Sequence, residues 1–304
     1  MITRSDVQAA AARIAGRVRV TPVVQVGPDT WFKLELLQHT GTFKARGAFN
    51  RGLQAQESGE LDPAIGIVVA SGGNAGLANA YAARELGVPA TVFVPTISSP
   101  VKVARLRAYG ATVVQQGSEY AEAYEAALAH ATSAGAVLVH AYDQPEVAAG
   151  AGTVGAELLQ QAEVDTILVA VGGGGLMAGI AAAAEGQAKI VAVEPATCPT
   201  LHTALLSDRP VDIAVSGIAA DSLGARRIGE IAYAVATRTG VQALLVTDED
   251  LIEARRRLWD EYRLLVEHGA AAAFAALTSG TYTPEPGERV AVLLCGANTD
   301  PSDL

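Results

Sequence analysis

The chain is predicted to be an α/β protein built on doubly wound, mostly parallel sheets, and three observations lead there. Apolar runs of strand length alternate with helix-length segments across most of the 304 residues, joined by short links. Half of the residues are hydrophobic, enough to fill a large buried core. Four consecutive glycines, Gly172 to Gly175, separate the uncharged run at 166–171 from a helical stretch at 176–184. A buried strand that ends in glycines before a helix is a recurrent α/β junction.

In chain order, Ser5-Asp6-Val7-Gln8 reads as a capping box opening a helix that closes at Gly16. Residues 31–36 alternate like a strand. A regular beat follows: strand 65–70, helix 75–86, strand 90–94, helix 101–109, strand 111–114, helix 119–132 and strand 137–139, punctuated by Gly87, Pro89, Gly110 and Gly135. It resumes with helix 154–161, strand 166–171, helix 176–184 and strand 190–193. Thr247-Asp248-Glu249-Asp250 caps a late helix, and 290–294 is a last strand ending at Cys295.

The formal net charge of −10 offers no broad basic surface, which argues against nucleic acid and anionic membranes as partners. Two cysteines, Cys198 and Cys295, make no disulfide framework, and no apolar signal segment opens the chain, so a cytoplasmic location is expected. The uncharged stretch 166–184 is long enough to raise a membrane span, but four central glycines break it into strand, loop and helix. The histidines His39, His130, His140, His202 and His268 show no metal-ligand spacing and read as surface or packing residues, so no metal is expected.

Ligands of open α/β sheets collect at the carboxyl ends of strands. Four segments fall there or at equivalent places: Gly41 to Ala48, Ser71-Gly72-Gly73-Asn74-Ala75-Gly76, the tetraglycine, and Cys295-Gly296-Ala297-Asn298. The tetraglycine exposes backbone N–H groups at a helix N-terminus, a site for a phosphate. A dinucleotide is one candidate, since Gly173, Gly175 and Ala178 satisfy G-x-G-x-x-A and Glu194 ends a strand where a ribose-binding acid would sit. That reading uses only one of the four segments. Lys44 sits between Gly41 and Gly47 before a helical stretch, where partial desolvation would depress its pKa and make the amine a nucleophile and base.

Thr42-Phe43-Lys44-Ala45-Arg46-Gly47-Ala48 resembles the signature around the Schiff-base lysine of the serine/threonine dehydratase family of fold-type-II pyridoxal 5′-phosphate enzymes, to which serine racemase is related. The resemblance covers nearly the whole chain. It implies two doubly wound α/β domains with the cofactor in the cleft between them: residues 1–52 plus 140–304 as the large domain, 53–139 as a small inserted one. It implies that Lys44 holds the cofactor, that Phe43 packs beside its ring, and that Gly172, Gly173, Gly174, Gly175 and Leu176 cup its phosphate. The loop Ser71, Gly72, Gly73, Asn74 and Ala75 would hold the substrate carboxylate, with Asn74 also on the cofactor's phenolic oxygen. Glu267 matches a glutamate near the ring. Cys295 takes the position of the partner of the pyridine nitrogen. A neutral thiol cannot keep that nitrogen protonated as an aspartate would, which disfavours transamination and suits loss of a β-hydroxyl.

Three departures accompany these matches. Ala151 replaces the usual glutamine of a Gly-Gln-Gly-Thr segment at 150–153. Gly72 stands where the racemase carries a serine that serves as acid/base on the far face, so racemisation is expected to be poor. Thr200 stands where metal-binding relatives carry an acid after Glu194-Pro195. The expected activity is conversion of L-serine or L-threonine to a 2-oxo acid and ammonia. A dehydratase of another 3-hydroxy amino acid such as 3-hydroxyaspartate, a racemase-like enzyme and a non-catalytic cofactor-binding protein are the alternatives. The short stretch after Asn298 suggests no regulatory domain, and the family suggests a homodimer.

Overall fold

The computed structural model describes residues 1–303. In chain order the elements are α1 (Arg4–Ile14), β1 (Val23–Gly27), β2 (Thr30–Lys33), α2 (Lys44–Glu57), β3 (Ile67–Ala70), α3 (Asn74–Leu86), β4 (Ala90–Val94), α4 (Pro100–Ala108), β5 (Thr112–Gln115), α5 (Tyr120–Ala134) and β6 (Val137–Val139). There follow α6 (Pro145–Gln161), β7 (Thr166–Ala170), α7 (Gly175–Ala184), β8 (Lys189–Pro195), α8 (Thr200–Leu206), α9 (Ala220–Leu223), α10 (Glu230–Thr239), β9 (Gln242–Val246), α11 (Asp248–Tyr262), α12 (His268–Thr278) and β10 (Val290–Leu293).

They form two sheets. One has six strands in the order β1-β2-β10-β7-β8-β9, all parallel but for the β1–β2 hairpin. The other has four parallel strands in the order β5-β4-β3-β6, all drawn from residues 67–139. Parallel strands covered on both faces read as unbroken apolar runs, and every residue of β3, β7 and β10 is buried. Helix α2 runs unbroken past residue 52 to Glu57. Among the described residues no helix is long and apolar enough to cross a membrane.

Two local findings revise the sequence reading. The first helix is capped by Thr3, not Ser5: the Thr3 hydroxyl accepts from Asp6 N, and the Asp6 carboxylate accepts from Thr3 N at 2.8 Å. Helix α6 starts at Pro145, nine residues before the predicted 154, because Gly150 and Gly152 serve packing and not a turn. A Cβ on Gly152 would lie 2.4 Å from Gly179 O of α7, and one on Gly150 would lie 2.7 Å from Arg46 O of α2. Glycines weaken helix propensity, which hides such a helix from a periodicity reading. Ala151, between them, is 3% exposed and part of the core.

Beneath the site lies a buried ionic cluster. Arg46 pairs with Glu35 at 2.6 Å and with Glu157 at 3.0 Å, and Lys33 pairs with Glu157 at 2.6 Å. The Thr21 hydroxyl donates to Glu35 at 2.7 Å. Arg46, Glu35 and Lys33 are all fully or almost fully buried, so each charge depends on the others for compensation. The cluster ties β2, α2 and α6 together two residues from Lys44.

Candidate active site

Lys44 opens α2, and the residues before it are stitched to the end of β10. Phe43 N donates to Cys295 O at 3.1 Å, Ala297 N donates to Gly41 O at 2.9 Å, and Thr42 bridges Gly296. The Lys44 ammonium nitrogen lies 2.7 Å from Ala141 O and 5.0 Å from the centroid of the Phe43 ring. Burial lowers the amine from its ordinary 10.5 to about 8, although Cys295 and Glu267 pull it upward. Burial likewise pushes the Cys295 thiol well up, with Glu267 adding to the effect, so the sulfur stays protonated and neutral.

Asn74 begins α3 at the carboxyl end of β3. Its Nδ2 donates to both carboxylate oxygens of Glu267, at 2.9 and 3.0 Å, and its Oδ1 accepts from Asn298 Nδ2 at 2.8 Å. Asn298 Nδ2 also donates to Thr40 O at 2.8 Å. Glu267 is the N-cap residue of α12 and its own N–H donates to Gly296 O. Burial raises its carboxyl to about 7 against the Asn74 bond. Asn74 is therefore held from both ends, and its amide plane is set before any ligand arrives. The adjoining Ser71-Gly72-Gly73 turn leads into the first turn of α3, where backbone N–H groups lack intrahelical partners. A Cβ at Gly72 would meet only ordinary contacts, 3.5 Å from Val94 Cγ1.

The tetraglycine joins β7 to α7, with Gly174 in the left-handed region at φ +86°. A Cβ on Gly173 would fall 2.3 Å from Cγ of Tyr142, and one on Gly175 would fall 2.6 Å from Tyr142 O. One on Gly172 would press on the Leu223 backbone at 3.0 Å. Leu176 follows, buried in α7. Among the described residues no hydrogen bond takes up the N–H of Gly172, Gly173, Gly174 or Gly175. Four unclaimed donors at the positive end of a helix form a nest for an anion.

A side chain at Gly174 would nevertheless not enter that nest. Its Cβ would point at Ala232 and Ile228 of the α10 region, 2.5 and 2.6 Å away, so a side chain there strains the backbone and strikes α10. The dinucleotide reading fails at Glu194. That carboxylate is fully buried and accepts from Leu201 N, His202 N and the Thr200 hydroxyl at 2.8, 2.8 and 2.9 Å, so it caps α8 and cannot reach a ribose. The Thr200 hydroxyl also lies 2.5 Å from Gly172 O.

The structure thus draws together Phe43, Lys44, the 71–75 loop, the tetraglycine, Glu267 and Cys295. It adds residues that the sequence reading assigned no part: Ala141 through its carbonyl, Tyr142 through its ring, His140 in the same turn, and Asn298 as the second anchor of Asn74. Asn298 stands in a segment already singled out. A carbonyl acceptor leaves no mark in a sequence.

Residues 14–296 match the family described as pyridoxal-phosphate dependent enzyme. The chain is 38% identical over 311 residues to an L-threonine ammonia-lyase of Geobacter sulfurreducens, covering 99% of this chain and 76% of that protein. It is 37% identical to a phenylserine dehydratase of Ralstonia pickettii, covering 95% of this chain and 91% of the relative. The solved structure of a T.th. threonine deaminase superposes with a TM-score of 0.89 at 34% identity, covering 98% of this chain and 99% of that one. The chain belongs to the pyridoxal-phosphate dependent enzyme family, and its fold is that of the fold-type-II members. The residues present fit the cofactor: the nest offers four donors for a phosphate, and a buried amine of reduced basicity stands near a neutral thiol and a carboxylate.

Proposed function

We propose that the chain is an ammonia-lyase that dehydrates L-threonine or L-serine to a 2-oxo acid and ammonia. The observation that carries this is the buried Lys44 amine, lowered to about 8, facing a site with a neutral thiol and a donor nest. The named activities of the relatives, threonine ammonia-lyase and threonine deaminase, support it. Lys44, Phe43 and the tetraglycine with Leu176 would hold the cofactor, Cys295 would face its ring nitrogen, and Asn74 and Glu267 would flank the ring. When bound, the cofactor supplies an electron-withdrawing ring that acidifies the substrate Cα–H.

The remaining work falls to side chains of this protein. Lys44 Nζ takes the Cα proton, a task suited to an amine whose basicity burial has brought near the operating pH. The Ala141 carbonyl keeps that nitrogen aimed until then. The first-turn N–H groups of α3 receive the substrate carboxylate. The β-hydroxyl then departs as water, taking the proton that Lys44 Nζ holds, and the dehydrated amino acid leaves the site and hydrolyses to the 2-oxo acid and ammonia. In this reading residues 53–139 form a small domain inserted in the rest of the chain, supported by their separate sheet. The enzyme works as a cytoplasmic homodimer without a metal.

The test is a visible absorbance spectrum of protein mixed with pyridoxal phosphate, followed by L-threonine. A Lys44-dependent band and release of 2-oxo acid are expected, and Lys44→Ala abolishes both. A colourless protein that binds a dinucleotide overturns the reading. Racemisation is the second reading, and Gly72 speaks against it, since it supplies no far-face proton donor. Chiral analysis of unreacted L-serine decides: D-serine forming as fast as ammonia would establish the racemase instead.

A further inference from the structure

The five-residue turn from β6 into α6 touches both Lys44 and the tetraglycine, and one imidazole holds it in shape. His140 Nδ1 accepts from two backbone donors, Asp143 N at 2.8 Å and Tyr142 N at 3.2 Å. His140 N in turn donates to Gln144 Oε1 at 3.0 Å. An imidazole nitrogen that accepts must carry a free lone pair, so this geometry selects the neutral ring with its proton on Nε2. A protonated ring would turn a third donor toward the two N–H groups.

What the turn presents gives this bond its consequence. Ala141, inside the turn, offers the carbonyl that receives Lys44 Nζ. Tyr142 lays its ring and carbonyl against Gly173 and Gly175. Asp143 accepts from Glu230 N and Ile231 N at 3.1 Å each, capping α10. The groups facing His140 are Lys44 from α2, Tyr124 from α5 at 5.6 Å between ring centroids, and Tyr142 and Asp143 from its own turn.

We propose that His140 is a positioning residue: its Nδ1 fixes the turn that aims the Ala141 carbonyl at Lys44 and seats Tyr142 on the tetraglycine. This rests on the reading of Lys44 and the tetraglycine as the cofactor site. Burial and the Lys44 charge lower the imidazole's proton affinity, outweighing Asp143, so the turn keeps its shape below the usual histidine range.

Two measurements test it. The first uses protein before cofactor is added, labelled with nitrogen-15 at histidine, the His140 signals being assigned by their loss in His140→Asn. Nδ1 is expected to show an unprotonated shift and Nε2 a protonated one, unchanged below the usual titration range. A His140 that carries its proton on Nδ1, or titrates like free histidine, overturns the proposal whether or not the protein binds pyridoxal phosphate. The second compares affinity for pyridoxal phosphate, by absorbance, in two variants. His140→Phe keeps a ring but offers no acceptor, and binding should weaken roughly tenfold. His140→Asn places an amide oxygen near the Nδ1 position and should remain within about threefold of the parent. Equal affinities in the parent and both variants, or equal losses in the two, refute the positioning role. Absence of binding in the parent would instead count against the cofactor site, and the nitrogen-15 result would still decide the turn.

Discussion

Gly173→Ala is the sharpest probe of how the tetraglycine nest is built, because the structure says where the added methyl must go. That Cβ would lie 2.3, 2.4 and 2.5 Å from Cγ, Cδ1 and Cδ2 of Tyr142, whereas ordinary contact begins near 3.4 Å. The ring must retreat by roughly 1 Å. It is not free to do so, being packed edge-on to His140 at 4.8 Å between centroids and bonded through its hydroxyl to Arg227 O at 3.3 Å. Overpacking of this kind costs about 1–3 kcal/mol. At about 2–4 °C per kcal/mol for chains approaching this size, the melting temperature should fall by several degrees. The cost should vanish once the ring is gone: in a Tyr142→Ala background, Gly173→Ala should add less than about 0.5 kcal/mol. Urea unfolding of the four proteins in the cycle gives the coupling, and pyridoxal phosphate binding should weaken in Gly173→Ala. Additivity of the two substitutions would refute the contact between Tyr142 and the tetraglycine.

Other expectations follow from the same geometry. In protein without cofactor, Lys44 titrates near 8 when folded and 10.5 when unfolded, so between those values the unfolded chain binds the extra proton and stability rises with pH. That rise, up to about 3 kcal/mol, should be missing from Lys44→Met in paired denaturation curves from pH 7 to 11. Arg46→Met strands Glu35 without its partner and should cost about 3–5 kcal/mol, while adding Glu35→Gln should recover much of the loss in the same assay. For Cys295, Ser should preserve substantial elimination as another neutral hydrogen-bonding group, and Asp should lower it and shift the product partition. Ala should lose on the order of 1 kcal/mol from one neutral bond, and identical partition in all three would show that Cys295 is only core.

Lys44, the asparagine loop, the tetraglycine and the terminal Cys-Gly-Ala-Asn are legible as a candidate site because each is a short run whose chemistry is carried by neighbours in sequence. The alternation of apolar runs likewise located β4 and β6 at their observed bounds and most other strands within two residues. The first half of helix α6 is hidden from the sequence pattern, since its glycines pack against α2 and α7 and look like breakers in isolation. Strand β1, helices α8 to α10 and strand β9 leave little periodic signal in the sequence, being short or only half-buried.

Sequence alone determined the parallel α/β class and the chemical types that meet at the strand ends, because side-chain period and glycine placement are local properties of the chain. Only tertiary structure decided what each group faces. Glu194, at dinucleotide spacing, caps α8 because residues 200–202 fold back onto it. Gly174 answers to α10, more than 50 residues on. Asn74 is set by Glu267 and Asn298, and Lys44 by the carbonyl of Ala141. Apart from the Glu194 cap, these contacts join residues more than 50 positions apart through backbone atoms and small side chains. Their strength comes from distance and burial, quantities that no local pattern of residues contains.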